Sequence, residues 1–257
     1  MSLQISKCLL TAFGCLAGAT LLADDPTPGK QVEQKQVIKI GAGETAQEVT
    51  VHYWLFLPQG YGEKANGDHA KKWPLVLFLH GAGERGTDMN LVKVHGPPKL
   101  VDADAGFPFI VVSPQCPSGE LWNSDLMAKI VDQLANSLAV DPARLYVTGL
   151  SMGGYGTWDL LAKYPGKFAA AMPICGGGDP LTVEKYKATP IWVFHGAKDS
   201  AVSLTKSDEM VAALKKAGGD PKYTVYPEAH HDSWTETYKN PDVWKWLAEQ
   251  KLAEKKQ

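Results

Sequence analysis

The chain has 257 residues, of which 21% are charged, and a formal net charge of −2 at pH 7. Its length suits a single α/β domain with a sizeable buried core. The near-neutral charge excludes the basic footprint of nucleic-acid-binding proteins, so we expect a small, neutral or mildly charged binding partner.

The first residues have the pattern of a secretory signal peptide. Lys7 precedes an apolar run that ends at Ala23 and is followed by two aspartates and a proline, which is the order found in such signals. Cleavage after Ala23 or after Ala19 fits this pattern. We expect residues 1–23 to form the signal peptide and residues 24–257 a catalytic domain that is secreted or periplasmic. A membrane anchor and lipidation at Cys15 are the alternatives, although the run is shorter than the ~20 residues that span a bilayer.

Seven segments predict buried β-strands. Each is a short apolar run bounded by Pro or Gly, which is the pattern of a strand covered on both faces. In chain order they are residues 51–58, 74–81, 107–114, 144–151, 169–176, 190–196 and 223–227.

Four helical patterns alternate with the later strands. They cover residues 125–140, 155–164, 203–218 and 240–255. Strands that alternate with helices predict a mostly parallel sheet with helices on both faces, which places the chain in the α/β class.

The strongest chemical signal is the segment GLSMGG, residues 149–154. It has the G-x-S-x-G form and lies directly between a predicted strand and a predicted helix, as a nucleophilic serine on a sharp turn requires. Gly149 and Gly153 suit such a turn because a Cβ atom at either position would meet the neighbouring strand or helix. Ser151 is therefore the candidate nucleophile.

A serine nucleophile needs a base to accept its proton and an acid to orient that base. Asp199 follows a predicted strand, at the sheet edge where catalytic groups collect in open α/β sheets. Asp179, after the preceding strand, is its rival. Near the C-terminus, His230 and His231 stand together in YPEAHHDSW, whereas His195 at a strand end is expected to support the acid loop.

Two backbone amides are candidates for an oxyanion hole. Met152 directly follows the nucleophile, and Ala82 opens the loop HGAGERG after the second predicted strand. In the same loop, we expect Glu84 and Arg85 to fix its shape and to edge the pocket.

Six motifs together resemble a known family. In order they read LHGAGERG, SPQCP…W, GLSMGGYGTW, PICGGGD, VFHGAKD and YPEAHHDSW, and they span about residues 51–246. This set resembles the exported bacterial α/β-hydrolases related to feruloyl and acetyl-xylan esterases, polyhydroxybutyrate depolymerases and dienelactone hydrolases. The resemblance implies an α/β-hydrolase fold and a catalytic triad, and it leaves the substrate open.

The resemblance also distinguishes the two adjacent histidines. Members of the family tend to read Gly-His-Asp/Asn-x-Trp, so His231 matches the base through HDSW, whereas His230 stands where Gly is usual. Adjacent side chains point in roughly opposite directions in extended chain, so only one can readily face Ser151. We expect His231 to be the base and His230 to face solvent or the pocket rim.

Removal of the signal would leave Cys116 and Cys175 in an exported protein, where a disulfide is permitted. In the fold that the resemblance implies, two strands separate the segments that carry them, a distance of about 14 Å at ~4.8 Å per step. A disulfide requires Cα atoms within about 7 Å. We expect two buried thiols, with a disulfide as the alternative.

These inferences predict a serine esterase. Ser151 attacks a carboxylic ester, His231 transfers the proton, Asp199 orients the histidine, and the amides of Ala82 and Met152 bind the oxyanion. We expect no metal and no cofactor.

The substrate and its pocket are less defined by the sequence. Trp122 and Trp234, with His230, are candidate pocket residues, but core packing is an equal alternative for these tryptophans and for Trp158. The leading substrate is an acyl or feruloyl ester of a polysaccharide, or a similar small ester. A peptidase of the prolyl-oligopeptidase-like type and a non-catalytic binding module are the alternatives, and we expect no stable membrane insertion after signal cleavage.

Overall fold

The computed structural model describes residues 26–41, 43, 46–63 and 71–253. The predicted signal peptide, residues 1–23, lies outside these residues. Within the described ranges, no helix combines the length and the apolar character needed to cross a membrane.

Eight strands form the sheet, and they include all seven predicted ones with ends shifted by a few residues. They are β1 (Gln31–Ile40), β2 (Gln47–Phe56), β3 (Trp73–Leu79), β4 (Ile110–Pro114), β5 (Val140–Leu150), β6 (Ala170–Ile174), β7 (Trp192–Gly196) and β8 (Lys222–Tyr226).

Seven α-helices accompany the sheet in the described part of the chain. They are α1 (Met89–Val92), α2 (Gly96–Ala103), α3 (Ser124–Ser137), α4 (Met152–Lys163), α5 (Thr205–Lys216), α6 (Trp234–Lys239) and α7 (Pro241–Glu249). Two 3₁₀ segments, Ala82–Glu84 and Pro180–Lys185, lie in loops after β3 and β6. The four predicted helices are α3, α4, α5 and α7.

The strand order is β1-β2-β4-β3-β5-β6-β7-β8. Strands β3 to β8 pair in parallel, whereas β1 and β2 are antiparallel at one edge. This confirms the predicted α/β-hydrolase fold with a mostly parallel sheet. Because the parallel strands end at one edge of the sheet, the loops after β3, β5, β7 and β8 come together there.

The sheet separates two hydrophobic clusters. Along β3, Leu75, Leu77 and Leu79 contribute to the cluster under α3, α4 and α5, whereas Val76 and Phe78 contribute to the cluster under α2, α6 and α7. All five side chains are fully buried. Successive side chains on a strand point to opposite faces, and each fully buried one stabilises the fold by about 1.5–3 kcal/mol.

Strand β1 was not predicted, and α7 ends earlier than predicted. In β1, QVEQKQVIKI, only Gln34 and Ile38 are buried, because the strand lies at the sheet edge and needs no continuous apolar run.

The predicted C-terminal helix ends at Glu249 instead of residue 255. There the chain turns to lie along β5, since the Gln250 carbonyl accepts a bond from the Tyr146 hydroxyl at 2.7 Å.

Cys116 and Cys175 are both buried and free. They follow β4 and β6, which β3 and β5 separate in the sheet. This agrees with the expected strand separation and with the expected pair of buried thiols.

Candidate active site

Ser151 lies on the sharp turn between β5 and α4. Its backbone has φ 53° and ψ −117°, a left-handed conformation that is rare for a residue with a side chain. A Cβ atom at Gly149 would lie 2.3 Å from the Gly153 carbonyl oxygen, and one at Gly153 would lie 1.9 Å from the Leu79 carbonyl oxygen. Both glycines are therefore required for this turn.

His231 lies in the loop after β8 and links Ser151 to Asp199. Its Nε2 is 2.9 Å from Ser151 Oγ, and its Nδ1 is 2.7 Å from Asp199 Oδ2. A carboxylate can only accept, so Nδ1 carries the proton and Nε2 is free to accept the proton of the serine hydroxyl. The Trp234 ring packs edge-on against the imidazole, with ring centroids 5.1 Å apart.

Asp199 follows β7, and its side chain is completely buried. Burial by itself would raise the pKa of this carboxyl group. Hydrogen bonds from His231 and from the amides of Val202 and Ala201 outweigh burial, so the net effect is a lowered pKa. Both amides donate to Oδ1 at 2.9 Å, which leaves Oδ2 for the histidine.

His195 lies beneath this acid loop, as the sequence predicts. Its ring is fully buried, with Nδ1 2.8 Å from Ser207 Oγ. Its Nε2 is 3.0 Å from the Val202 carbonyl oxygen and 3.2 Å from Asp199 Oδ2. Both of these atoms are acceptors, so Nε2 carries a proton and helps to fix the acid loop.

Asp179 occupies a different environment from Asp199. It caps the 3₁₀ segment Pro180–Lys185, and its Oδ1 accepts a bond from the Leu181 amide at 2.9 Å. The structure joins His231 to Asp199 and not to this rival acid.

His230 points away from Ser151. It is exposed, and its Nδ1 lies 3.1 Å from the Lys198 carbonyl oxygen. A Cβ atom at Gly196 would lie 2.1 Å from the His230 carbonyl oxygen, so the backbone here packs directly on the end of β7. The two neighbouring histidines therefore have different partners, since the ring of His231 bonds Ser151 and Asp199 instead.

A cavity of about 640 Å³ opens over Ser151. Its lining residues come from the loop after β3, the loop before α3, and the turn into α4 with α4 itself: Ala82, Arg85, Leu121, Trp122, Ser151, Met152, Tyr155, Gly156 and Asp159. Trp122 is thus in the wall. Trp234 and His230 are not among the lining residues, and Trp158 is only 1% exposed, in the core.

The sequence reasoning missed four lining residues, Leu121, Tyr155, Gly156 and Asp159. Tyr155 and Asp159 follow Ser151 at intervals of four residues, and positions four apart lie on one face of a helix. This spacing was the available signal. Leu121 gave none beyond its place next to Trp122, yet it is 72% exposed and forms part of the cavity rim.

Ala82 and Met152 line the cavity beside Ser151. Met152 is the first residue of α4 and Ala82 the first of its 3₁₀ segment, so neither amide has a partner within its own helix. Two such N–H groups at helix N-termini can bind a developing negative charge.

Glu84 and Arg85 hold this loop in shape. Glu84 Oε2 accepts the Gly81 amide at 2.8 Å. Arg85 donates to the carbonyl oxygens of Ala82 at 3.0 Å and Glu120 at 3.1 Å, and it also lines the cavity.

Cys175 lies next to the backbone of His231. Its thiol is 3.4 Å from the His231 carbonyl oxygen, and burial raises its pKa to about 12. Donor atoms of Cys175, Asp199 and His231 lie within 4.8 Å of one another, which is the spacing of a candidate metal site in the described residues. In this structure, however, His231 and Asp199 hydrogen-bond each other.

Comparisons with known proteins agree with this architecture. The sequence model described as Dienelactone hydrolase family matches residues 118–255. Acetylxylan esterase A of Emericella nidulans is 25% identical over 254 residues, covering 88% of this chain and 76% of that protein. Poly(3-hydroxyalkanoate) depolymerase C of Paucimonas lemoignei is 47% identical over 121 residues, covering 40% of this chain and 28% of that protein.

A solved structure is similar over most of the fold. The crystal structure of a thermostable esterase is 37% identical, with a TM-score of 0.67, over 84% of this chain and 63% of that chain. The chain therefore spans a little under two thirds of that esterase and about a quarter of the depolymerase.

Proposed function

The chain is a hydrolase that belongs to the dienelactone hydrolase family, and on that premise we propose that it cleaves carboxylic esters through an acyl-enzyme on Ser151. Its similarity to an acetylxylan esterase and to a thermostable esterase supports carboxylic ester hydrolysis. The observation that carries the serine mechanism is the unbroken hydrogen-bonded series from Ser151 through His231 to buried Asp199.

In the first half of the reaction, Ser151 Oγ attacks the ester carbonyl carbon while His231 Nε2 accepts the hydroxyl proton. Asp199 accepts a hydrogen bond from Nδ1–H and stabilises the imidazolium that forms. When the bond to the alcohol oxygen breaks, His231 returns its proton to the leaving alcohol. Water then enters, gives its proton to Nε2 and attacks the acyl carbon. As the bond from the acyl carbon to Ser151 Oγ breaks, His231 returns that proton to Oγ, which releases the acid and restores Ser151.

The amides of Ala82 and Met152 would bind the oxygen that becomes negative in each tetrahedral intermediate. Both lie at helix N-termini in the wall of the nucleophile's cavity. Loss of one such donor lowers kcat by about 10²–10³. No metal and no cofactor takes part in this proposal.

We propose acyl or feruloyl esters of polysaccharides, or similar small esters, as the substrate. The cavity of about 640 Å³ is in the range of small-molecule sites. Leu121, Trp122 and Tyr155 give its wall an apolar and aromatic surface suited to an acyl group. Relatives named for acetylxylan and for a poly(3-hydroxyalkanoate) support a polymer-borne ester.

A substrate panel tests the proposal. It compares p-nitrophenyl acetate, a feruloyl ester and acetylated xylan with proline-containing p-nitroanilides, and each assay is repeated with Ser151→Ala. We expect turnover of the esters alone, and none with the variant. Preferred cleavage of the anilides would favour the peptidase, and failure of a fluorophosphonate to label the wild-type protein would favour the binding module.

We also propose that the protein is exported. The pattern of residues 1–23 carries this proposal. A similar protein from Arthroderma benhamiae, 26% identical over 209 residues and named as a secreted protein, supports it. Intact-mass analysis of the exported product should give an N-terminus near Asp24 or Thr20. Retention of Met1 in an exported protein would contradict signal cleavage.

A further inference from the structure

His80 is a buried histidine that the proposed mechanism does not use. It follows β3 directly, its ring is completely buried, and it is not among the residues that line the cavity of Ser151. Burial lowers the pKa of this imidazole, so the ring is neutral at neutral pH. A fully buried polar ring needs hydrogen-bond partners, and these partners explain its role.

The partners fix the tautomer of His80. The Cys116 amide donates to Nε2 at 3.0 Å. A backbone amide can only donate, so Nε2 is unprotonated and the proton of the neutral ring is on Nδ1. Nδ1 therefore donates to the Gly81 carbonyl oxygen, 2.7 Å away.

This bond fixes the orientation of one peptide group. No cis peptide bond occurs in the described ranges, so the carbonyl of Gly81 and the amide of Ala82 lie in one plane and point in opposite directions. Because the carbonyl oxygen points to the buried His80 ring, the Ala82 N–H points the other way. Ala82 lies in the cavity wall together with Ser151.

Neighbouring contacts keep the imidazole itself in place. The Trp122 ring packs against it with centroids 4.7 Å apart, and Trp122 Nε1 donates to the His80 carbonyl oxygen at 3.0 Å.

A second side chain holds the peptide group that follows Ala82. Arg85 Nε donates to the Ala82 carbonyl oxygen at 3.0 Å. Both peptide groups that flank the Ala82 α-carbon are thus held by side chains.

We propose that His80 is a positioning residue that aims the Ala82 amide at the oxyanion through its Nδ1 proton. The inference rests on the proposed function, since it assigns a task within the same ester hydrolysis. His80 touches neither the substrate nor the reacting atoms. Its contribution should therefore appear in transition-state stabilisation and not in ground-state binding.

Two matched variants separate this role from a general packing role. In His80→Asn, the side-chain amide occupies the place of Nδ1 and can still donate to the Gly81 carbonyl. In His80→Gln, the amide occupies the place of Nε2 and can accept from Cys116 but no longer holds Gly81. Each variant keeps one of the two bonds, so we expect similar losses of thermal stability.

Catalysis should distinguish the two variants. With a misdirected oxyanion donor, His80→Gln should lower kcat by about 10²-fold, whereas His80→Asn should stay within about tenfold of the wild type. KM should change by less than about threefold in both. Affinity for a trifluoromethyl ketone ester analogue, which forms an oxyanion on Ser151, should fall in parallel with kcat. Equal kcat values for the two variants, or losses confined to KM, would refute the role.

A measurement on the wild-type protein covers the case in which the variants do not fold. Two-bond ¹H–¹⁵N spectra of histidine-labelled protein should show His80 as the Nδ1–H tautomer, and a proton on Nε2 would overturn the proposal.

Assays of the wild-type protein separate failure of the proposed ester hydrolysis from failure of the role proposed for His80. If it hydrolyses no ester and takes up no fluorophosphonate, the proposed function fails. If Ser151 is labelled and His80→Gln keeps its kcat, only the role of His80 fails.

Discussion

The substitution Asp199→Asn tests the hydrogen bonding of the proposed triad, because the Asn side chain has nearly the same shape as that of Asp. The amides of Ala201 and Val202 both donate to Oδ1, so the Asn side chain must keep its oxygen there. Its NH₂ group then takes the place of Oδ2, which lies 2.7 Å from His231 Nδ1. Two donors would face each other at that distance, so His231 must move its proton to Nε2.

The altered tautomer should remove most of the activity. With a proton on Nε2, His231 presents a donor to Ser151 Oγ and cannot accept the hydroxyl proton. We expect kcat to fall by about 10⁴, the loss known for a triad histidine held in the wrong tautomer. Loss of the charge-assisted bond should also lower the free energy of unfolding by about 1.5–3 kcal/mol.

The assay is kcat on p-nitrophenyl acetate between pH 6 and 9, together with thermal melting followed by circular dichroism. Asp179→Asn is the matched control, because Asn can still cap the Leu181 amide, and its kcat should equal that of the wild type. If Asp199→Asn kept kcat within about tenfold of the wild type while Asp179→Asn lost activity, the assignment of the acid would be wrong.

Three further predictions concern the same region. Because the pKa of Asp199 is lowered in the folded protein, its contribution to stability is complete above the ordinary carboxyl pKa of about 3.9 and is lost as the pH falls. The difference in Tm between the wild type and Asp199→Asn should therefore narrow on acidification, and a widening gap would contradict the sign. His231→Ala should abolish turnover and His230→Ala should retain most of it, since His230 is exposed and its ring bonds the Lys198 carbonyl instead of Ser151. Values of kcat in the reverse order would reassign the base. Burial raises the pKa of Cys116 to about 11 and that of Cys175 to about 12. Iodoacetamide near pH 8 should therefore leave both thiols unmodified until the protein is unfolded. Rapid labelling of either thiol in the native protein would contradict this.

The residues of the candidate site could be predicted because their chemistry depends on local sequence. A serine on a strand-to-helix turn needs glycines at fixed offsets, and these offsets identify Ser151 within six residues of sequence. Asp199 and His231 follow strand ends, and parallel strands place such ends along one edge of the sheet. The choice of His231 over His230 came from the resemblance and not from spacing alone.

Other features depend on tertiary packing that leaves little local pattern. Strand β1 lies at the sheet edge, pairs with β2 and buries side chains on one face. It therefore does not need an apolar run. Trp122 and Trp234 have the same residue type, yet one lines the cavity and the other packs against His231. The exposed Leu121 owes its place to the loop that carries it, and no periodicity marks it.

The central claim is that Ser151 forms an acyl-enzyme, and intact-protein mass spectrometry tests it most directly. Wild-type protein quenched during turnover of a slowly hydrolysed p-nitrophenyl ester should gain the mass of one acyl group, and peptide mapping should place it on Ser151. Ser151→Ala should gain no mass and should lose at least about 10³-fold in kcat while its Tm stays near that of the wild type. An acyl group on any other residue, or a folded Ser151→Ala variant with less than about a tenfold loss of kcat, would contradict the account.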